Sequence, residues 1–200
     1  MNQTEKNHVQ DRKLIFALLF SFGVNIAVGL AIIYFFPTEF SWKTSFTLHT
    51  EAFVYGLLTG LFALLVVFVW KKVGRVKLPA NKYTSELMKI VQKPWGPPFI
   101  ALGAGISEEL LFRGALFGLF NHIFGTVIAV LLVSILFTML HIPQYKEVPM
   151  LNVYMFFMSI LLTIAYVFTK SLWAPIIAHA LYNYVVSRWL KSGFLTYEGD

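Results

Sequence analysis

Residues 106–114 read ISEELLFRG, which sets Glu108, Glu109 and Arg113 inside an apolar run over 99–120. Ionisable groups near a bilayer centre cost about 2.5–3.5 kcal/mol each on insertion scales. Three of them within six residues therefore need partners, a task, or both. In a helix Glu109 and Arg113 are four apart and share a face, so an ion pair between them is geometrically natural. Glu108 points about 100° away around the axis and is left to face a cavity. The competing and weaker reading is that these charges do no more than lock helices together, since buried membrane charges are functional by default but structural ion pairs also occur.

Outward from this stretch the chain is greasy. Of 200 residues, 58% are hydrophobic and only 13% charged, with a mean hydropathy of +0.69. Soluble domains carry about 25% charged residues, so the balance predicts an all-α integral membrane protein. Six segments are long enough, or nearly so, to cross a hydrocarbon core of about 30 Å: 14–36, 51–70, 99–120, 126–141, 149–168 and 172–190. The expected fold is a bundle of about six transmembrane helices around an intramembrane catalytic cavity. The first segment exceeds the apolar stretch of a secretory signal, and no small-residue cleavage site follows it, so it reads as a retained helix. Residues 1–13 read as a polar, frayed tail and 191–200 as a second tail. Between them, 14–94 hold two helices and a basic loop, and 95–190 hold the catalytic core.

Cysteine is absent, which removes disulfides, thiolate metal sites and a cysteine nucleophile. The net charge of +6 does not point to nucleic acid, because the cations sit in loops beside apolar spans. Lys71, Lys72, Arg75, Lys77, Lys82, Lys89 and Lys93 stand against the single acid Glu86, while the 37–50 connection has only Lys43 among lysines and arginines. The positive-inside rule then puts 71–97 and both termini in the cytoplasm, and Arg188 and Lys191 agree. Residues 83–91 mix apolar and basic positions and read as a short helix lying on anionic lipid. Gly56 with Gly60, and Gly114 with Gly118, suit close helix packing within the chain rather than a dimer face.

Two more spans carry polar residues at helical spacing. Phe137 and His141 share a face in FTMLH, and His179 and Asn183 share one in APIIAHALYN. If a helix starts at Pro175, His179 lies near its positive end, where a developing negative charge is favoured. Each pair alone reads as well as an interfacial residue or an interhelical hydrogen bond. Together they supply an acid, two imidazoles and a carboxamide. A carboxylate beside a histidine can deprotonate water, and a second histidine with an asparagine can hydrogen-bond a tetrahedral oxyanion.

The ordered motifs Glu108-Glu109-x-x-x-Arg113, Phe137-x-x-x-His141 and His179-x-x-x-Asn183 resemble the CPBP family, which comprises CAAX prenyl proteases and bacteriocin-processing or bacteriocin-immunity proteins. The resemblance covers about 95–190. It implies a glutamate-dependent intramembrane endopeptidase without a cofactor, acting on a membrane-associated peptide or protein in a bacterial plasma membrane. Under it Glu108 and His141 activate water, His179 and Asn183 hold the oxyanion, and Glu109, Arg113 and Phe137 support them. By residue type alone, Glu108 and the two histidines also make a zinc set, although no H-E-x-x-H is present. Two other classes compete with the protease: a non-enzymatic scaffold or immunity protein of the same fold, and a proton-coupled transporter. A scaffold has no use for both histidines and the asparagine, and a transporter predicts inverted repeats that the sequence lacks.

Overall fold

The computed structural model describes residues 3–74 and 77–197. Arg75, used above for orientation, lies outside the described residues, as do the extreme ends of both tails. Nine α-helices run along the described chain: α1 (Gln3–Phe35), α2 (Trp42–Ser45), α3 (Thr50–Gly74), α4 (Lys82–Val91), α5 (Gly96–Glu109), α6 (Phe117–Phe124), α7 (Thr126–Tyr145), α8 (Pro149–Thr169) and α9 (Trp173–Lys191). Leu110–Leu116 is π-helical and joins α5 to α6 as one rod. A two-residue parallel pair, β1 (Lys77–Leu78) with β2 (Thr196–Tyr197), sets Lys77 opposite Thr196.

Among the described residues four helical stretches are long and apolar enough to cross a membrane: Asp11–Phe35, Thr50–Gly74, Thr126–Tyr145 and Pro149–Thr169. The protein is an integral membrane protein built from helices. The other two expected spans fall on the α5–α6 rod and on α9. A π turn interrupts the first, and polar residues lower the hydropathy of the second.

Several boundaries move for physical reasons. The N-terminal tail is not frayed over its described part, because α1 begins at Gln3. A helix nucleated by an apolar span extends outward at little cost, and Asp11 is held by Lys93 at 2.7 Å. Residues 83–91 do form a helix, but Thr84, Ile90 and Val91 are buried against the bundle. Its apolar face is therefore taken up by protein rather than by lipid. Asn81 caps α4 with a capping box and donates its amide to the Gln144 carbonyl and to Glu147, both at 2.9 Å. Gly125, at φ 79°, makes the break between α6 and α7 that an L side chain would resist.

The site depends most on how α9 is seated. A Cβ on Gly56 would stand 2.7 Å from the Ala174 carbonyl oxygen, and one on Gly60 3.0 Å from Leu181. These glycines let the α3 and α9 backbones touch, so the first small-residue motif is intrachain packing. Gly114 and Gly118 likewise back onto Phe40 and Thr38. The start of α9 is stitched to the end of α2 and the residue after it: Leu172 N donates to Ser45 O at 2.7 Å and Trp173 Nε1 to Phe46 O at 3.0 Å. Pro175 sits in the first turn, where a missing N–H is harmless, and no kink is needed.

Candidate active site

Glu108 lies twelve residues from the start of α5, and His179 twelve from the end of α9. Each is thus about 18 Å along its helix, at 1.5 Å per residue. Their helices pack together, which brings the two groups to one level, with His179 Nε2 4.0 Å from Glu108 Oε2. The other histidine reaches the same cavity from α7. That helix runs four residues beyond His141, and Phe137, one turn earlier, meets the His179 ring edge-on at 6.2 Å. Glu108, Phe137, His141, His179 and Asn183 all line one cavity of about 190 Å³.

The two glutamates have opposite surroundings. Glu109 is fully buried and is clasped from two sides. Arg113 Nη1 donates to its Oε1 at 2.9 Å and stands 2.8 Å from Oε2, while His179 Nδ1 donates to Oε1 at 2.6 Å. Glu108 keeps 19% of its side chain exposed toward the cavity, and its buried Oε2 accepts no hydrogen bond among the described residues. A buried carboxylate oxygen without a donor is costly and calls for a missing partner, such as a water or a substrate group.

The histidines are aimed differently. His141 Nδ1 faces the Phe137 carbonyl at 2.7 Å, so that nitrogen carries a proton and Nε2 is left as a base. Its ring stacks on Phe137 with centroids 4.5 Å apart. His179 holds its proton on Nδ1 against Glu109, which turns Nε2 to Glu108 and the cavity. His179 is the seventh residue of α9, beyond the first turn within which a helix dipole acts. The position expected from a start at Pro175 is therefore not found, and Glu109 rather than the helix terminus fixes this ring. Asn183, one turn further on, is half-buried and its amide makes no hydrogen bond among the described residues.

Sequence reasoning passed over α8. Ser159 Oγ accepts from Arg113 Nη2 at 2.8 Å, Ser159 O accepts from the same nitrogen at 3.0 Å, and Thr163 Oγ1 accepts from Nε at 3.3 Å. The signal was there: two hydroxyls four apart in MSILLTIAY, the same spacing as the three motif pairs. The π turn was not legible, although it starts directly after Glu109 and contains Arg113. Such wide turns are frequent at functional sites. Leu78, Leu87 and Leu195 also line the cavity, together with Leu151, Met155 and Leu162.

Among the described residues no three of His, Cys, Asp and Glu gather in an arrangement that could hold a metal ion. Residues 91–185 match the family model described as Type II CAAX prenyl endopeptidase Rce1-like. The membrane-embedded CAAX protease MroQ of Staphylococcus aureus is 38% identical over 107 residues, which are 50% of this chain and 41% of that protein. The chain thus spans less than half the length of this curated relative. No solved structure matches the chain. All three motifs fall inside the matched residues, so the part of the chain that carries them is the part similar to the Type II CAAX prenyl endopeptidases.

Proposed function

We propose that the protein is an intramembrane glutamic endopeptidase that hydrolyses a peptide bond of a membrane-associated peptide or protein. The observation that carries this reading is Glu108 Oε2, buried without a hydrogen bond among the described residues, on the wall of a cavity shared with His141, His179 and Asn183. Glu108 takes a proton from water with help from His141, and the hydroxide attacks the scissile carbonyl. The oxyanion receives hydrogen bonds from His179 Nε2 and the Asn183 amide. Collapse of the intermediate breaks the C–N bond, and the proton held by Glu108 passes to the leaving amine. For Nε2 to donate while Nδ1 donates to Glu109, His179 must carry both protons. Glu108, Glu109, Arg113 and His179 then sum to zero charge, which is what a low-dielectric site tolerates.

Both termini and the basic 71–97 segment belong on the cytoplasmic side by the positive-inside rule, which puts the part of the cavity lined by Leu87 of α4 on that side. Cleavage then occurs toward the cytoplasmic face of a bacterial plasma membrane. The zinc alternative has less support, because among the described residues no three His, Cys, Asp or Glu side chains gather as a ligand set.

The test is cleavage of a panel of membrane-anchored fluorogenic peptides by the purified protein and by Glu108→Gln, with and without a chelator. Activity lost in the variant and indifferent to chelator supports the glutamate mechanism. Activity that falls with chelator and returns with zinc moves Glu108 and the histidines into a metal site. Activity retained in Glu108→Gln removes the reading.

A further inference from the structure

Arg113 touches no part of the cavity, yet it reaches both of the histidines that line it. One route is polar: Arg113 Nη1 to Glu109, and Glu109 Oε1 to His179 Nδ1 at 2.6 Å. The other runs through an aromatic ring. The guanidinium lies 5.1 Å from the centroid of Phe137, and Phe137 in turn stacks on His141 at 4.5 Å. Phe137 is thereby held between a cation and an imidazole, and Phe112 adds a second ring 5.9 Å from the same cation. A guanidinium is flat and rigid, so its in-plane rotation sets where Glu109 sits, and its plane sets where Phe137 sits.

The in-plane rotation is fixed by α8. Ser159 Oγ at 2.8 Å, Ser159 O at 3.0 Å and Thr163 Oγ1 at 3.3 Å receive the edge of the guanidinium opposite Glu109. Thr163 is itself locked by donating to Ser159 O at 2.8 Å. Ser159, Thr163, Arg113 and Glu109 are all fully buried. Both hydroxyls stand in the middle of an apolar span, and there they meet Arg113. We propose that Ser159 and Thr163 are positioning residues. They orient Arg113 so that one guanidinium sets both imidazoles, His179 through Glu109 and His141 through Phe137. The proposal rests on the protease reading, and it assigns to α8, which carries none of the three motifs, the alignment of the catalytic groups.

The experiment compares the full-length parent with Ser159→Ala and Thr163→Val, with Thr163→Ser as the conservative control that keeps the hydroxyl. Neither residue lines the cavity, so substrate binding should be untouched. Loss of an orienting contact of this kind lowers turnover by roughly 10–100-fold. The expected result is a fall of that size in kcat for Ser159→Ala and Thr163→Val at unchanged KM, with Thr163→Ser near the parent. A readout without substrate uses protein labelled with ¹⁵N histidine. The proton on His179 Nδ1, downfield because of its short bond to Glu109, should shift upfield in Ser159→Ala, and the His141 ring signals should shift with it.

Parental kcat together with unmoved histidine signals in both variants would overturn the proposal. So would equal losses in Thr163→Val and Thr163→Ser, or a movement of His179 alone, which would sever the aromatic route. Glu108→Gln, run beside them, separates the two ideas. If it retains activity the protease mechanism fails, whereas if it is inactive and the α8 variants are normal, only the positioning role fails. The histidine signals decide the matter even for a variant too unstable for kinetics, because Thr163→Ser and the parent supply the reference.

Discussion

Helices α1 and α9 stand at opposite extremes of the bundle. The apolar window of α1 has a mean hydropathy of 2.3, and only 6% of it is buried inside the protein. By contrast, α9 buries Ala174, Pro175, Ile176, Ala178 and His179 in its first half and carries Arg188 and Lys191 in its last turn. It is too polar to stand among the four clear membrane spans. The difference shows what apolarity measures in a bilayer. Lipid rewards a helix that is greasy all round, whereas a helix enclosed by protein is free to hold histidine, asparagine and serine. Burial rather than composition marks the site, since α7 matches α1 in hydropathy at 2.3 yet carries Phe137 and His141.

The severest way to break this contrast is to disturb the enclosed charges. Arg113→Met would leave Glu109 as a buried carboxylate with one partner fewer, at a cost of about 3–5 kcal/mol. Phe20→Ala on α1, at a side chain 64% exposed toward lipid, should stay within about 0.5 kcal/mol. Thermal unfolding of the two variants in one detergent measures the gap. Equal losses would mean that α1 is packed far more tightly than its burial indicates.

Chemistry and stability should separate at the neighbouring glutamate. Glu108→Gln is expected to lower peptide cleavage by about 10²–10⁴-fold, the usual weight of a general base. Its thermal stability should equal or slightly exceed that of the parent, since the change removes a carboxylate oxygen that has no hydrogen-bond donor and His179 keeps the cluster neutral by giving up its second proton. Glu109→Gln should lose both, because Arg113 and His179 lean on that carboxylate. Adjacent residues with the same side chain would then differ in kind. A Glu108→Gln variant that unfolds early would show that its carboxylate is structural after all.

Glycines offer a smaller and cleaner comparison. At Gly56 an added methyl would press on the Ala174 carbonyl oxygen at 2.7 Å, and separating α3 from α9 should cost about 1–3 kcal/mol. At Gly23 of α1 the same methyl meets nothing within 4 Å. Gly23→Ala should therefore be neutral, or gain up to about 1 kcal/mol from helix propensity. Melting curves for Gly56→Ala and Gly23→Ala that moved in the same direction would remove the distinction between enclosed and lipid-facing helices.

Much of this could be read in the sequence, and what could not has a common cause. Local spacing announced the Glu109–Arg113 pair, the Phe137–His141 stack and the shared face of His179 and Asn183, because each depends on one helix. The contact between Glu109 and His179 spans 70 residues and depends on how α5 and α9 pack, which spacing along a single helix cannot show. Ser159 and Thr163 carried the right spacing but no charge, so they passed as ordinary hydroxyls in an apolar span. The π turn over Leu110–Leu116 leaves no residue pattern behind it. The cap over the cavity was missed because 83–91 is amphipathic, and an amphipathic helix fits lipid and protein equally well by composition.

That cap supplies the smallest expected effect. Glu147 lies outside the spans, and the Asn81 amide beside it holds its carboxyl below the ordinary value of 4.5. A depressed carboxyl favours the native arrangement above its unfolded pKa, and that contribution is lost as pH falls through the folded value. The tie between α4 and the end of α7 should thus be constant through neutral pH and loosen only in distinctly acidic buffer. The loss is modest, since Glu147 is exposed and Asn81 keeps its second bond to the Gln144 carbonyl at 2.9 Å. Amide exchange in α4, compared at each pH with Glu147→Gln, isolates the titration from the intrinsic pH dependence of exchange. The parent should be the better protected near neutrality and should converge on the variant in acid. Protection in α9 should be alike in the two proteins at every pH, because its hold on α3 is packed backbone rather than charge. If the parent and the variant matched at every pH in α4 as well, the cap would be held by its buried Thr84, Ile90 and Val91 alone, and this end of the cavity would be as firmly built as the core behind it.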